Sequence, residues 1–269
     1  MIVIDDDNWQ EHVPGHTPFS GGLMARDYEK YPVGYLYCAR PFDLPLVPRV
    51  EWRERLADQK GRNARLTDIR NRGMYGSQIP SRDQDGYGYC WAHSSVSACL
   101  IVRAINNQPY ADLSAFSVAA PIKNFRNQGG WGSQSLEWIA EKGVATSRTW
   151  PQQSMQRSNV NDAMWSDARN HRVTEWMDLD PDADNFIDQF VTCLLLGIPV
   201  VSDFNWWGHS VCTLDLEEID PADPRRSIVT NIWNSWSDSW SEKGVGKLKA
   251  GRAVPNGAIA PRVMTGALT

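Results

Sequence analysis

The segment "QDGYGYCWAHSS", residues 84–95, places a cysteine where it could act as a nucleophile. Cys90 directly precedes a run in which Ala92, Val96, Cys99 and Val102 recur at three- and four-residue steps, a spacing that predicts an amphipathic helix from Cys90 to about Ile105. The start of a helix carries partial positive charge, which favours the reactive thiolate form of a cysteine. A buried, inert thiol is the alternative for any single cysteine, so the hypothesis needs a base and a group that orients the base.

Two residues later in the chain could supply these functions. Of the five histidines, His209 follows "NWWG" and begins an apolar strand, which would place its ring at a strand end facing a cleft. Asn234 ends the next strand-like segment, between Trp233 and Trp236. An asparagine can fix the tautomer of an imidazole, and flanking indoles would keep water away from their hydrogen bond. A purely structural histidine remains the alternative interpretation of His209.

Helices come first along the chain and strands come later, which favours an α+β fold. Besides the helix at Cys90, the periodicity predicts helices over about 133–142 and 185–196, with Gly143 and Gly197 as their C-terminal stops. The β-branched runs "IPVVSDF", "HSVCTLDL" and "RSIVTNIW" predict strands. Arg103 falls near the apolar face of the first helix and is expected to reach solvent.

Residues 1–65 are rich in proline and weakly periodic, which indicates an N-terminal extension before a larger domain at 66–269. A short charged helix is expected within residues 50–66. We divide the larger domain into a helical lobe (84–180), a sheet lobe (181–255) and a C-terminal tail (256–269). The extension could cover a groove as an inhibitory or removable segment, or it could pack on one lobe and complete the core.

Composition limits the possible partners and compartment. A net charge of −5 argues against a nucleic-acid partner, and no apolar run approaches the roughly 20 residues that span a bilayer. The five cysteines are widely spaced with no C-x-x-C pair, so neither a zinc site nor a disulfide framework is indicated. With the acidic start "MIVIDDDNWQ" in place of a secretory signal, these features predict a cytoplasmic or otherwise reducing compartment.

Four segments, in order, resemble the motifs of papain-like cysteine peptidases of the papain/cathepsin type. They are "QDGYGYCWAHS", "NQGGWGSQSLEWI", "GHSVCTLDL" and "NIWNSWSDSWSEKGVGKLKAG". The resemblance implies a two-lobe fold in which Cys90 is the nucleophile, His209 the base and Asn234 the residue that orients it. Gln84 would donate to the oxyanion, together with the Cys90 backbone N–H.

The resemblance also implies a substrate groove. Gly129 and Gly130 match the segment whose backbone pairs with an extended polypeptide, and Trp131 and Gly132 would border the main specificity pocket. Trp236 matches the indole that shields the histidine–asparagine bond. Trp207 stands where a smaller residue is usual, so together with Trp131 it could narrow or close the pocket.

Other positions depart from the family pattern. Tyr87 and Asn127 replace both cysteines of one family disulfide, which predicts a chain without disulfides. His93 stands where the family has an aromatic residue, and we interpret it as a packing residue rather than a second proton carrier.

These observations together predict a cysteine peptidase that needs no metal or organic cofactor and acts on extended polypeptides. Two alternatives stay open. One is a catalytically silent structural or binding protein, for instance packaged in a viral particle with an assembly partner that the sequence does not identify. The other is an acyltransferase or amidase that acts on a non-protein substrate.

Overall fold

A mixed eight-stranded sheet organises the computed structural model, which describes residues 1–13, 21–73 and 76–265. The strands are β1 (Val3–Ile4), β2 (Ala39–Pro41), β3 (Val173–Leu179), β4 (Val200–Phe204), β5 (His209–Glu218), β6 (Val229–Trp233), β7 (Val245–Lys249) and β8 (Gly257–Met264). Their order across the sheet is β1-β7-β6-β5-β4-β8-β3-β2. The four central pairs from β7 to β8 are antiparallel, and three of them, β4–β5, β5–β6 and β6–β7, join strands that are consecutive in the chain.

Helices pack around this sheet. They are α1 (Trp52–Gly61), α2 (Leu66–Arg72), α3 (Cys90–Ile105), α4 (Phe116–Ile122), α5 (Gly132–Glu141), α6 (Asp162–Ala168), α7 (Phe186–Leu195) and α8 (Pro224–Ser227). The three helices predicted from apolar periodicity are confirmed as α3, α5 and α7, with ends that differ by one residue at most. The three predicted strands are confirmed as β4, β5 and β6. None of the helices in the described ranges is long and apolar enough to span a membrane.

Residues 257–264, which fall in the C-terminal tail of the sequence-based division, instead form a strand inside the sheet. β8 lies between β4 and β3. The sequence "GAIAPRVM" does not predict a strand, because Pro261 has no backbone N–H to donate to a neighbouring strand. The proline is tolerated because β4 pairs only with residues 257–259, and because β3 has a register shift beside Trp176, the partner of Pro261. Residues 266–269 lie outside the described part.

The buried apolar side chains form two cores. The first surrounds α3 and includes Trp91, Val96 and Leu136. The second surrounds α7 and includes Phe190 and Leu216. This second core also takes up side chains from the N-terminal extension, namely Ile4, Val47, Trp52 and Leu56.

The N-terminal extension also supplies both edges of the sheet. Val3 pairs with Lys247 in parallel at one edge, and Ala39 pairs with Trp176 in parallel at the other. The charged helix expected within residues 50–66 is confirmed as α1, which packs against α7. Residues 1–65 are therefore tied to the main body at three places along their length.

Arg103 does not reach solvent, so that prediction is wrong. Its side chain is buried, with Nη2 donating to the Pro109 carbonyl at 2.7 Å and Nη1 lying 3.2 Å from Nδ1 of His171. The loop after α3 and the loop before β3 fold over the end of the helix. His171 is 68 residues away from Arg103 in the sequence, and helical periodicity carries no information about such a partner.

Replacement of Trp52 tests whether the extension is part of the core. Trp52 is fully buried and donates from Nε1 to the Val47 carbonyl at 2.9 Å. We expect Trp52→Ala to cost about 3–5 kcal/mol of unfolding free energy, which lowers Tm by roughly 10 °C in a chain of this size. Val50→Ala is the control, since Val50 is 90% exposed. Equal melting temperatures in the two variants would show that α1 is not part of the cooperative unit.

Candidate active site

Cys90 begins α3 where that helix meets the start of β5. Its side chain is fully buried, and a backbone hydrogen bond from Ser210 reaches its thiol. One turn further along α3, Ser94 Oγ lies 2.8 Å from Ser210 Oγ. Ser210 directly follows His209, so these two contacts place the predicted nucleophile beside the predicted base.

The orientation of the His209 ring is set by Asn234. His209 Nε2 lies 2.7 Å from Asn234 Oδ1. The Ser235 backbone N–H also donates to Oδ1, at 2.8 Å, which identifies that atom as the amide oxygen. An amide oxygen only accepts, so Nε2 of His209 carries the proton. Nδ1 is then the basic nitrogen, and it is buried with no hydrogen-bond partner among the described residues.

Two indoles enclose this histidine. Trp236 stacks on the His209 ring with centroids 4.5 Å apart and an interplanar angle of 28°. Trp207 meets the same ring edge-on, with centroids 4.9 Å apart. Trp207 also donates from Nε1 to the His12 carbonyl at 2.8 Å. Both tryptophans are buried, so water is excluded from the His209–Asn234 hydrogen bond.

Gln84 joins the loop before Cys90 to the segment that carries Asn234. Its backbone N–H donates to the Ser235 carbonyl at 3.0 Å, and its Oε1 accepts from Ser235 Oγ at 2.7 Å. Its side-chain amide nitrogen donates to the Tyr87 carbonyl at 2.7 Å. The amide group of Gln84 is therefore fixed close to the N-terminus of α3.

A hydrogen bond spans the region where the family disulfide is missing. Gly88, next to Tyr87, donates its N–H to Asn127 Oδ1 at 2.7 Å. Tyr89 adds a bond from its hydroxyl to the Arg126 carbonyl at 2.8 Å. All five cysteines are free thiols, as the sequence predicts. Polar contacts thus hold the nucleophile loop against the glycine-pair segment.

Gly129 and Gly130 lie between the nucleophile loop and the N-terminal extension. A Cβ on Gly130 would come 2.6 Å from the Trp91 ring, and a Cβ on Gly129 would come 2.5 Å from the Gly22 carbonyl oxygen. Gly132 begins α5, next to Trp131, whose half-buried ring packs against Tyr31 with centroids 5.3 Å apart. These positions need small residues because other chain segments approach them closely.

Residues 21–28 of the extension, which we name the cover segment, run across this site. Gly22 and Leu23 donate their N–H groups to the Gly208 carbonyl at 2.9 and 3.0 Å. Met24 N–H donates to the Gly130 carbonyl at 2.8 Å, and Gly130 N–H donates to the Gly22 carbonyl at 2.9 Å. Leu23 and Gly130 form a parallel bridge. The cover segment thus occupies backbone groups on both sides of the Cys90–His209 pair.

Both the start and the end of the cover segment are closely fitted. A Cβ on Gly22 would lie 2.3–2.4 Å from backbone atoms of Gly88, so a side chain is excluded there. Arg26 binds Asp178 of β3 through two hydrogen bonds of 2.8 and 2.9 Å, and both side chains are almost completely buried. Sequence patterns gave no signal for these contacts beyond the glycine pair itself.

Burial acts against charge at the candidate nucleophile and base. It raises the pKa of the Cys90 thiol to about 12, although the hydrogen bond from Ser210 partly opposes the shift. Burial likewise lowers the pKa of His209 to about 4, while the hydrogen bond to Asn234 acts in the opposite direction. The thiol and the imidazole are both neutral near pH 7. The position of Cys90 at the start of α3 favours a lower pKa, but desolvation is the larger effect.

His93 and Asp203 also border this region. His93 is buried, meets Phe116 edge-on, and has a pKa lowered to about 3, chiefly by burial. These contacts agree with its interpretation as a packing residue. Asp203, on β4, was not singled out from the sequence, and its carboxylate accepts the Gly132 N–H at 3.0 Å. The available signal was a charged residue inside the apolar run "IPVVSDF".

Comparison with known proteins identifies the family. A sequence model described as "Papain family cysteine protease" matches residues 64–218, which is more than half of the chain and includes Cys90 and His209. The chain therefore belongs to the papain family of cysteine proteases, and the predicted resemblance is confirmed. Asn234 lies beyond the matched range.

Individual relatives are more distant. Cathepsin L 1 of Paramecium tetraurelia is 25% identical over 180 residues, which cover 63% of this chain and 55% of that protein. The chain thus spans little more than half the length of this curated relative. Two similar structures confirm the predicted two-lobe α+β fold. Xylellain, a cysteine protease from Xylella fastidiosa, aligns with a TM-score of 0.54 at 18% identity, and the alignment covers 70% of this chain and 83% of the xylellain chain. Digestive procathepsin L 3 of Tenebrio molitor aligns with a TM-score of 0.54 at 14% identity, and the alignment covers 80% of this chain and 90% of the procathepsin chain.

Thiol labelling tests the effect of burial on Cys90. With iodoacetamide at pH 7, we expect Cys38 to label before Cys90 in the native full-length chain. Cys38 is partly exposed, whereas Cys90 is buried and its pKa is about 12. Mass spectrometry of the digested protein would give the order of labelling, and labelling in denaturant provides the control in which all five thiols react. Preferential labelling of Cys90 would contradict the covered arrangement.

Proposed function

We propose that this chain is a cysteine peptidase that hydrolyses peptide bonds with Cys90 as nucleophile, His209 as general base and Asn234 as the residue that orients the base. The observation that carries this proposal is the tautomer of His209. Its Nε2–H is engaged by Asn234, which leaves a basic Nδ1 at the junction where Ser210 contacts Cys90. Membership in the papain family supports the same assignment.

In the proposed reaction, the Cys90 thiol passes its proton to Nδ1 of His209, and the thiolate attacks the substrate carbonyl. Negative charge on the carbonyl oxygen is stabilised by the Cys90 backbone N–H and the side-chain amide of Gln84. Protonated His209 then gives its proton to the leaving amine. Finally His209 takes a proton from water, which attacks the thioester and releases the acid.

We propose an extended polypeptide as substrate, bound along Gly129, Gly130, Trp131 and Gly132 on one side of the groove. The hydrogen bonds of the cover segment support this, because they demonstrate that Gly130 and Gly208 can pair with an extended backbone. Trp236 and Trp207 form the wall behind His209 in this proposal. The assignment of Trp207 to a narrowed pocket is less favoured, since its contacts are with His209, Trp236 and the His12 carbonyl.

We further propose that residues 1–65 act both as a structural part of the fold and as an inhibitory cover. The structural function is supported by β1, β2 and α1, and the inhibitory function by the contacts of residues 22–24. While the cover segment is in place, a substrate cannot reach Gly130 or Gly208. Moving it away would also lower the desolvation that keeps the thiol neutral.

The catalytically silent alternative has one supporting observation, which is that Cys90 and His209 are both completely buried. It predicts that displacing the cover segment yields no turnover. Turnover of a peptide substrate by a chain with an opening mutation therefore distinguishes the two proposals.

Gly22→Ala should open the groove. Its Cβ would overlap backbone atoms of Gly88, which cannot move away easily, so the cover segment must leave its position. We expect Cys90 labelling and hydrolysis of a fluorogenic peptide to rise at least about tenfold, the effect of roughly 1.4 kcal/mol on the closed state. Gly61→Ala is a matched control, since its Cβ would have no atom within 4 Å.

Equal labelling in the Gly22→Ala and Gly61→Ala chains would show that the cover segment does not restrict Cys90. Faster labelling without turnover of any peptide would instead support the silent alternative.

Substitution of the three candidate catalytic residues in the Gly22→Ala chain tests their roles. We expect Cys90→Ser to abolish turnover and His209→Ala to reduce kcat by about a hundredfold or more, because the histidine carries the proton. Asn234→Ala should reduce kcat by a smaller factor, because Asn234 only orients the ring. Cys38→Ser is the control and should retain activity. Equal losses for His209→Ala and Asn234→Ala, with unchanged melting temperatures, would refute the division of roles.

A further inference from the structure

Asp203 is a half-buried carboxylate in the groove that the proposed reaction does not use. It lies on β4, where it pairs with Ser210 of β5, and its Oδ2 accepts the Gly132 N–H at 3.0 Å. Its Oδ1 is shielded from solvent and has no hydrogen bond of good geometry in the described ranges, although the Ser210 hydroxyl lies near the carboxylate. A shielded carboxylate oxygen without a well-aligned donor is costly, so a donor from a bound ligand would be stabilising at this position.

A second carboxylate, that of Asp178, lies two strands away from Asp203 on the other side of β8. Gly257 of β8 pairs with Asp203, and Ile259 pairs with Asp178 of β3. Residues 257 and 259 are two apart on one strand, so their partners lie on the same face of the sheet. A Cβ on Gly132 would contact Val201, Ile259 and Asp203 Oδ1, which locates this face beneath the start of α5.

The cover segment supplies the cation for this acidic face. Arg26 pairs with Asp178, and its guanidinium also lies over the ring of Tyr28, 4.5 Å from the ring centroid. A cavity of about 30 Å³ remains beside Asp203, enough for roughly one water molecule. Its lining residues are Met24, Arg26, Tyr28, Asp203, Asn205, Asn256 and Gly257.

Three of these seven lining residues belong to the cover segment itself. When residues 21–28 move away, the volume of the Met24, Arg26 and Tyr28 side chains is added to the cavity. The pocket then keeps the carboxylate of Asp203 and loses the positive charge of Arg26. The remaining lining consists of two neutral asparagines and a glycine.

We propose that Asp203 is a specificity-determining residue of the opened groove, where it binds the basic side chain of the substrate residue whose backbone pairs with Gly130. The link to that residue is short, because Gly130 and Gly132 are two positions apart and Gly132 holds Asp203 through its N–H. An arginine side chain suits the pocket best, since its planar guanidinium can donate to a carboxylate in two parallel bonds. This proposal rests on the peptidase function proposed above.

The charge state of Asp203 agrees with this function. Burial raises its pKa to about 6, while the Ser210 hydroxyl, the Gly132 N–H and the charge of Arg26 act to lower it. A bound guanidinium, or access of water after opening, favours the ionised form. The opened pocket would therefore present a negative charge near pH 7.

The test compares peptides in a full-length chain carrying Gly22→Ala and Tyr28→Ala, of which the second removes the ring that lies by Asp203. Three fluorogenic peptides differ only at the residue expected to pair with Gly130, which is arginine, its neutral isostere citrulline, or leucine. We expect kcat/KM for arginine to exceed that for citrulline by about 10–100-fold, the effect of a hydrogen-bonded charge pair in a partly buried site. Equal values for arginine and citrulline would overturn the proposal.

Asp203→Asn provides an independent measurement. The asparagine oxygen can still accept the Gly132 N–H, so the pocket is retained while its charge is lost. We expect the arginine-to-citrulline ratio to fall towards one. Asp182→Asn is the matched control, because it removes the same charge from an exposed lining position of the neighbouring cleft and should leave the ratio unchanged. A ratio that survives Asp203→Asn, or falls equally in both variants, would refute the assignment.

A binding measurement separates failure of this proposal from failure of the proposed function. If none of the three peptides is cleaved, the peptidase assignment is wrong. Protection of Cys90 from iodoacetamide would still report which peptide occupies the groove. Stronger protection by the arginine peptide than by the citrulline peptide supports the function of Asp203, and equal protection contradicts it.

Discussion

The contact between the N-terminus of α3 and the first residues of β5 is the constraint on which the candidate site depends. Ser94 and Cys90 on the helix both meet Ser210 on the strand, and His209 is thereby held at the end of the helix. Every other feature of the site is arranged around this junction. Asn234 reaches His209 from β6, the Gln84 loop leads into α3, and the glycine pair passes on the far side of the nucleophile loop.

Burial of this junction has a large effect on its chemistry. A thiolate and an imidazolium next to each other can stabilise one another, but only if enough solvent or polar protein remains to offset the cost of burying charge. With the cover segment in place, desolvation is the largest contribution to the pKa shifts of both Cys90 and His209, and it favours the neutral forms. In the inhibitory function that we propose, the cover segment would therefore limit access and reactivity together.

Sequence reasoning predicted the parts of this arrangement that are local. The periodicity of α3 and the β-branched strand at His209 determine where two of the candidate residues lie, and the Trp-flanked Asn234 completes the set through its motif. It could not find β8, because strand formation there depends on partners in β3 and β4 rather than on the propensity of "GAIAPRVM". It also could not place Arg26, since the pairing with Asp178 joins residues that are far apart in the chain. Asp203 was overlooked because a single charge in an apolar run is ordinarily assigned to the solvent-facing side of a strand.

The attachment of the extension at both ends limits how the groove can open. β1 and β2 are fixed at opposite edges of the sheet, and α1 follows in the core beneath α7. Removing residues 1–65 as a unit would expose Trp52 and two sheet edges, at a cost in stability that displacing residues 21–28 does not carry. Breaking the buried Arg26–Asp178 pair is the main cost of that smaller movement, because it leaves Asp178 without its cation. The charge of Arg26 also lowers the pKa of Asp203, so the cation that holds the cover segment in place is electrostatically coupled to the residue that we assign to substrate selection.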